Sequence, residues 1–305
     1  MSLAVIAESI IILFLLMGIG FLCRRTGVIG PDGARGLSSF VVNVSLPALI
    51  LMAMQVPLTP ELVENAGGIL LGLAVFYGVS FALAFTIPRY IAESDLGEGV
   101  MKFMLVFSNL GFMGIPVANT VFGPESIFYV SIFNLTFSIL LFSVGVLMLR
   151  PDMGRYLDPK LFLNTGLIAS FAGLILFSLQ IHIPSPFADV FTLLGSTTTP
   201  LAMVVVGALL ATLPLEGIFT DKRIWVITIL RLSVIPIMVF LILRPFVSGP
   251  FLLGVPVLLA AMPVAANAVM LAEEYHVDAT IASKGVFLTT ILSLATLPFI
   301  TLLIT

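Results

Sequence analysis

Charge is what this sequence has least of. Only 10% of its 305 residues are Asp, Glu, Lys or Arg, against 60% that are hydrophobic, whereas a soluble domain carries roughly a quarter charged residues. A water-soluble globule is excluded. Cysteine is nearly absent as well: Cys23 stands alone, which removes disulfide frameworks and cysteine-ligated zinc or iron–sulfur sites. The two histidines, His182 and His276, fall in loops near opposite faces and make no metal pair. No HExxH, GxSxG, GxxxxGK[ST] or helix-opening GxGxxG occurs. No enzyme is expected, and no metal, cofactor or nucleic-acid partner.

What is present is long apolar runs, with a mean hydropathy of +1.22. A bilayer core needs about 20 apolar residues per spanning helix. Hydropathy places ten spans near 3–23, 34–55, 67–88, 100–122, 126–149, 161–181, 190–212, 223–245, 250–272 and 281–304. Runs such as SIIILFLLMGIGFLC do not alternate, so they are helices and not barrel strands. The opening MSLAVIAES has no basic stretch and includes Glu8, and is read as entering the first span, not as a cleaved leader.

Basic residues set the orientation. Arg24, Arg25, Arg35, Arg89, Lys102, Arg150, Arg155, Lys160, Lys222, Arg223 and Lys284 fall on odd-numbered loops, Arg244 alone on an even one, and Arg231 inside span 8. Eleven against one places both termini away from the cytoplasm, in a multi-pass protein of the cell inner (plasma) membrane.

The charged linker RPDMGRYLDPK, residues 150–160, divides the chain into five-span halves, 1–150 and 151–305. An odd number of spans per half inserts the second half upside down, the inverted repeat of many secondary transporters. The expected fold is an all-α membrane protein of ten transmembrane helices in two inverted five-helix repeats, with broken helices 4 and 9 crossing. Span 2 (NVSLPALILMAM, 43–54) and span 7 (TTTPLAMVVVGA, 197–208) each set a polar cluster before a proline.

Span 4 reads FSNLGFMGIPVAN, residues 107–119, and gathers Ser108, Asn109, Gly111, Gly114 and Pro116 at hydrocarbon depth. Proline removes a backbone donor and crowds the preceding turn, so a break is expected there. A break at that depth must be buried in protein or line a wet cavity, and the amides of the next helix start suit an anion. Span 9, AAMPVAANAVMLAEEY, repeats the device around Met262, Pro263 and Asn267.

Other polar residues carry two readings. Asn43, Asn134 or Asn267, taken singly, can simply bond a neighbouring helix. Ser45 and Thr197–Thr199 can satisfy backbone groups beside Pro47 and Pro200. Arg231, about 12 Å into span 8, can attract an anionic cargo, reach for the membrane surface or bond a carbonyl. Glu8 is the one acid near membrane depth, which disfavours proton coupling through a buried carboxylate. Glu273, Glu274 and Asp278 read as a solvated helix exit, and Gly68 with Gly72 as a close helix contact.

The segments NVSLPALIL, SNLGFMGIPV, TTPLAMVVVGALL and MPVAANAVMLAEEYHVD resemble the auxin efflux carrier family, which includes plant auxin exporters and bacterial carriers labelled malonate transporters. The resemblance covers essentially the whole chain. It implies a scaffold of helices 1, 2, 6 and 7 and a transport unit of helices 3–5 and 8–10. Substrate is implied to bind where broken helices 4 and 9 cross and to move by an elevator-like shift. Matched by motif, Asn109 is the crossover asparagine, Pro116 and Pro263 are the crossover prolines, and Asn43 with Pro47 face the site. A homodimer through the scaffold is implied too. The short 150–160 linker and VAANAVMLAEE depart from the plant pattern, so a small organic anion other than auxin is expected.

The substrate-binding candidates are therefore Asn109, Gly114, Pro116, Met262, Pro263, Asn267 and Arg231, with Asn43 and Pro47 from the resemblance. The leading expectation is a secondary transporter of a small carboxylate in the bilayer. A sodium-coupled carrier of the bile-acid symporter type and a non-transporting membrane sensor remain as alternatives. An intramembrane hydrolase lacks its Ser-His, Asp-Asp or metal constellation.

Overall fold

A computed structural model describes residues 3–149, 165–213, 216–275, 277 and 279–304. The 150–160 linker with Arg150, Arg155 and Lys160, the residues His276 and Asp278, and the side chains of Glu273 and Glu274 lie outside what it describes. In chain order the helices are α1 (Leu3–Arg25), α2 (Pro31–Phe40), α3 (Leu46–Ala53), α4 (Pro60–Thr86), α5 (Pro88–Ile91), α6 (Asp95–Val106), α7 (Ile115–Phe122), α8 (Ser126–Leu140) and α9 (Val146–Leu149). They continue with α10 (Thr165–Ser178), α11 (Phe187–Ser196), α12 (Thr198–Leu210), α13 (Lys222–Ile229), α14 (Ile235–Leu243), α15 (Val255–Ala260), α16 (Asn267–Glu274) and α17 (Ala279–Ile304). Among the described residues there is no strand, and six continuous helical stretches are long and apolar enough to cross a bilayer. Shorter apolar helices cover Leu110–Phe122, Thr165–Ser178 and Pro250–Ala260. The protein is all-helical, as the apolar runs require when lipid offers the backbone no partners.

Prolines bend these helices without ending them. Four times a five-residue π-helical turn, Val41–Ser45, Leu110–Gly114, Leu230–Val234 and Pro250–Gly254, runs directly into an α-helix whose second residue is proline. Those prolines are Pro47, Pro116, Pro236 and Pro256. A proline ring clashes with the carbonyl four residues back and leaves it without a donor. Widening the preceding turn to a five-residue hydrogen-bond step moves that carbonyl aside. The break expected within 107–119 lies at the start of that segment: span 4 is interrupted at residues 107–109, and the chain stays helical from Leu110 through Pro116 to Phe122.

Packing is dense in two places, which α1 joins through its contacts with α7 and α17. In one, α1 lies along α12 while α3 contacts both α10 and α11; in the other, α4 contacts α6 and α14, α14 contacts α15, and α16 lies on α17. The α1–α12 contact is made backbone to backbone. A methyl group on Gly20 would collide with the Val204 carbonyl, and one on Gly207 with the Met17 carbonyl. Small residues permit such approach between helices that gain nothing from expelling water in lipid. Gly68 and Gly72 do similar service against Leu252 and Pro256. At one membrane-flanking end, Asp221 caps α13 through the Arg223 amide (3.1 Å), and Arg223 binds both Asp221 (2.8 Å) and Glu93 (2.7 Å). The Arg223 guanidinium holds the Asp221 carboxyl below the usual carboxylate range.

Gly207→Val is expected to remove most folded protein, since overpacking against a main chain costs about 1–3 kcal/mol or more. Gly18→Ala, where a methyl meets nothing within 4 Å, is expected to leave the melting temperature in detergent unchanged. Equal thermal stability of the two variants would show that the glycine contact does not matter.

Candidate functional site at the crossing of two unwound segments

The two interruptions meet. Span 4 unwinds at Phe107, Ser108 and Asn109, between α6 and the turn that begins at Leu110; span 9 unwinds between α15 and α16, around Pro263. The Asn109 amide donates to the Pro263 carbonyl (2.9 Å), and the Ala265 amide donates to the Phe107 carbonyl (3.0 Å). Together they form an antiparallel bridge between Ser108 and Val264. Each unwound stretch thus satisfies the other, as buried backbone must be in the absence of water. Thr289 of α17 completes the arrangement: its hydroxyl accepts from the Val264 amide (3.1 Å) and donates to the Gly285 carbonyl (2.6 Å).

Arg231 ties the other ends. It is fully buried, its Nε donates to the Met262 carbonyl (3.1 Å) and its Nη1 to the Leu105 carbonyl (2.7 Å). Those carbonyls stand at the C-terminal ends of α15 and α6, where the helix dipole is negative and cations are favoured. The Phe76 ring lies 6.0 Å from the guanidinium carbon, within cation–π range. Of the three roles open to Arg231, carbonyl bonding is the one observed.

At the crossing, residues of both segments line a cavity of about 130 Å³, room for about four waters at roughly 30 Å³ each. Asn109 and Asn267 line it, with Leu110, Gly111, Phe112 and Ala265 beside them and Asn134 and Ser138 opposite on α8. Among the described residues no ionisable side chain lines it. Asn109 and Asn134 are buried, and among the described residues no hydrogen bond is seen from the carboxamides of Asn109, Asn134 or Asn267 to protein. The amides of Gly111 and Phe112, in the first turn after the break, likewise have no backbone partner among the described residues. Neutral donors dominate this hollow.

The remaining candidates are placed differently. Arg231 is not on the cavity wall. Asn43 is exposed, accepting from Thr165 Oγ1 (2.8 Å) and donating to Ser39 (3.2 Å). Pro47 is buried within α3, next to Leu46, which does line the cavity. Pro116 is buried inside its helix, and the backbone carbonyls of Pro263 and Met262 are engaged as described. Gly114 allows a tight approach, since a methyl there would stand 3.0 Å from Leu259. Ser45 bonds back to Val41 and Thr197 to Leu194, as backbone-satisfying residues do. Glu8 is exposed. Two lining residues with polar side chains lie outside the expected site: Asn134, read as helix glue, and Ser138, four residues on. The spacing of Asn134, Phe137, Ser138 and Leu141 is one helical face, a signal available in the sequence.

A family model for membrane transport proteins matches residues 5–159 and 152–301. A Rhizobium meliloti (strain 1021) protein named "Putative malonate transporter" is 28% identical over 297 residues, covering 93% of this chain and 91% of that protein. An "Uncharacterized transporter" of Methanothermobacter thermautotrophicus is 27% identical, covering 95% of this chain and 96% of its own. Another, of Methanocaldococcus jannaschii, is 24% identical over 94% of this chain and 95% of its own.

Arg231→Met leaves two buried helix ends without their donor; with about 1.5–3 kcal/mol per hydrogen bond to a charged group, a markedly lower melting temperature is expected. Arg231→Lys, which presents a single point charge, should fall between. A methionine variant as stable as wild type but defective in transport would instead put Arg231 in contact with cargo.

Proposed function

Because the chain belongs to the family of membrane transport proteins, the auxin efflux carrier family, and is a transporter and not an enzyme, we propose that it carries a small organic carboxylate across the cell inner membrane as a secondary transporter. The observation that carries this reading is the small cavity at the crossing, lined by three asparagines with unused hydrogen-bonding groups and by free amides at a helix start. Backbone amides at a helix N-terminus favour an anion. About 130 Å³ suits a cargo of a handful of heavy atoms. The Rhizobium meliloti relative's name, which refers to malonate, fits that size and charge. Neutral donors give modest affinity, and a carrier must release what it binds.

The crossing's carbonyls point away from a sodium-coupled reading. Those of Phe107, Pro263, Met262 and Leu105 are engaged by amides or by Arg231, and among the described residues no carboxylate lines the cavity. Amides, more than oxygens, are left for the cargo. The fold in this reading is ten spans in two inverted halves, with both termini outside the cytoplasm. The dense packing of α1 on α12 and of α3 on α10 and α11, beside that of α4 on α6 and α14 and of α16 on α17, supports a scaffold and a transport unit that shift past each other as an elevator, with a homodimer formed through the scaffold.

Asn109→Ala is expected to abolish malonate flux in proteoliposomes while the purified variant keeps its melting temperature within a few degrees of wild type. Asn134→Ala should lower flux as well. Undiminished transport by Asn109→Ala would remove the site. Since none of the described residues lining the cavity is ionisable, the pH profile of flux should follow the ionisation of the cargo acid, and an activity edge at a pH unrelated to the cargo would contradict this.

A further inference from the structure

A second, larger hollow of about 410 Å³ lies beside the crossing. It shares one wall with the inner cavity: Phe112, only 8% exposed, lines both. Ala266, in the unwound stretch of span 9, faces the larger hollow, while its neighbours Ala265 and Asn267 face the inner one. The two spaces are thus one residue apart along the chain.

Their chemistry differs. Among the described residues the inner cavity has no ionisable lining, whereas the outer hollow is lined by Arg24 from the last turn of α1 and Arg35 from α2, with Ser38 and Ser283. Neither guanidinium is used up. Arg24 Nη1 makes a long bond to the Ile29 carbonyl (3.3 Å), and its Nε is buried with no partner. Arg35 approaches Asp32 at 3.8 Å with both side chains largely in solvent, 85% and 99% exposed; a pair so exposed contributes little and leaves the guanidinium available. Two cations at the mouth of a low-dielectric recess concentrate potential there, and the guanidinium fork matches a carboxylate.

We propose that this hollow is a separate first-contact site for the carboxylate, in which Arg24 and Arg35 bind the anion before it passes Phe112 to the neutral donors of the inner cavity. It rests on the carboxylate reading given above and adds a second site to it. Division of labour follows: capture is electrostatic and salt-sensitive, and the site that moves cargo is neutral and weak. Two guanidinia on separate helices also favour a dicarboxylate, one carboxylate to each, over a monocarboxylate of equal size.

The test is calorimetric titration of the purified full chain with malonate at low and at physiological salt, with flux measured in parallel. Wild type should bind more weakly as salt rises. The double variant Arg24→Gln/Arg35→Gln should bind at least about fivefold more weakly at low salt and lose most of the salt dependence. Arg35→Glu, at a side chain too exposed to unfold the protein, should shift affinity in the same direction. Asn109→Ala should keep salt-sensitive binding while losing flux. An unchanged affinity and salt slope in the arginine variants, no salt-sensitive malonate binding by wild type, or loss of all binding in Asn109→Ala would each overturn the separate site. Normal flux in Asn109→Ala would overturn the inner site instead, and leaves the outer one to be judged by the arginine variants.

Discussion

Two backbone hydrogen bonds, from Asn109 to Pro263 and from Ala265 to Phe107, are the constraint on which the rest of this molecule depends. A helix interrupted in lipid exposes amides and carbonyls that cost several kcal/mol each if unpaired. One interruption alone has no remedy in an apolar chain. Two interruptions, brought side by side, repair each other in the centre and leave unspent only the amides that begin the next helix. The polar hollow is therefore a by-product of how the breaks are reconciled, and the asparagines around it are placed where unspent backbone already makes the medium polar.

The opposite ends of the same broken helices need opposite treatment. Carbonyl ends carry partial negative charge, and the protein meets them with a single buried cation, Arg231, divided between Leu105 and Met262. A buried guanidinium is costly when isolated, and here two helix ends provide what a carboxylate otherwise would. This also explains how a strong positive charge can sit close to the crossing without lining the cavity.

How much of this was legible in the sequence depends on the residue. Both breaks were visible, because glycine, asparagine and proline cluster at hydrocarbon depth in spans 4 and 9 and nowhere else as densely. Asn109 and Asn267 were placed on the cavity by that reasoning. Where within 107–119 the helix opens is not legible, since sequence does not reveal that a π turn upstream of Pro116 relieves its ring; four of the chain's prolines use this device. Asn43 was carried over by motif, yet its partner is Thr165, more than a hundred residues away, a pairing that no local pattern encodes. Asn134 was undervalued because a single asparagine on a long apolar helix looks the same whether it faces a neighbour or a void.

Arg231 and the bridge have a mechanical corollary. Arg231 fastens the α6 side of one break to the α15 side of the other by side chain, and the main-chain bridge joins Phe107 to Ala265 and Asn109 to Pro263. Any displacement that preserves these ties must take both broken segments along as a single rigid block, pocket floor included. A displacement of that block would have to give way at its borders, where α7 and the Leu110–Gly114 turn lie against α1 and α12.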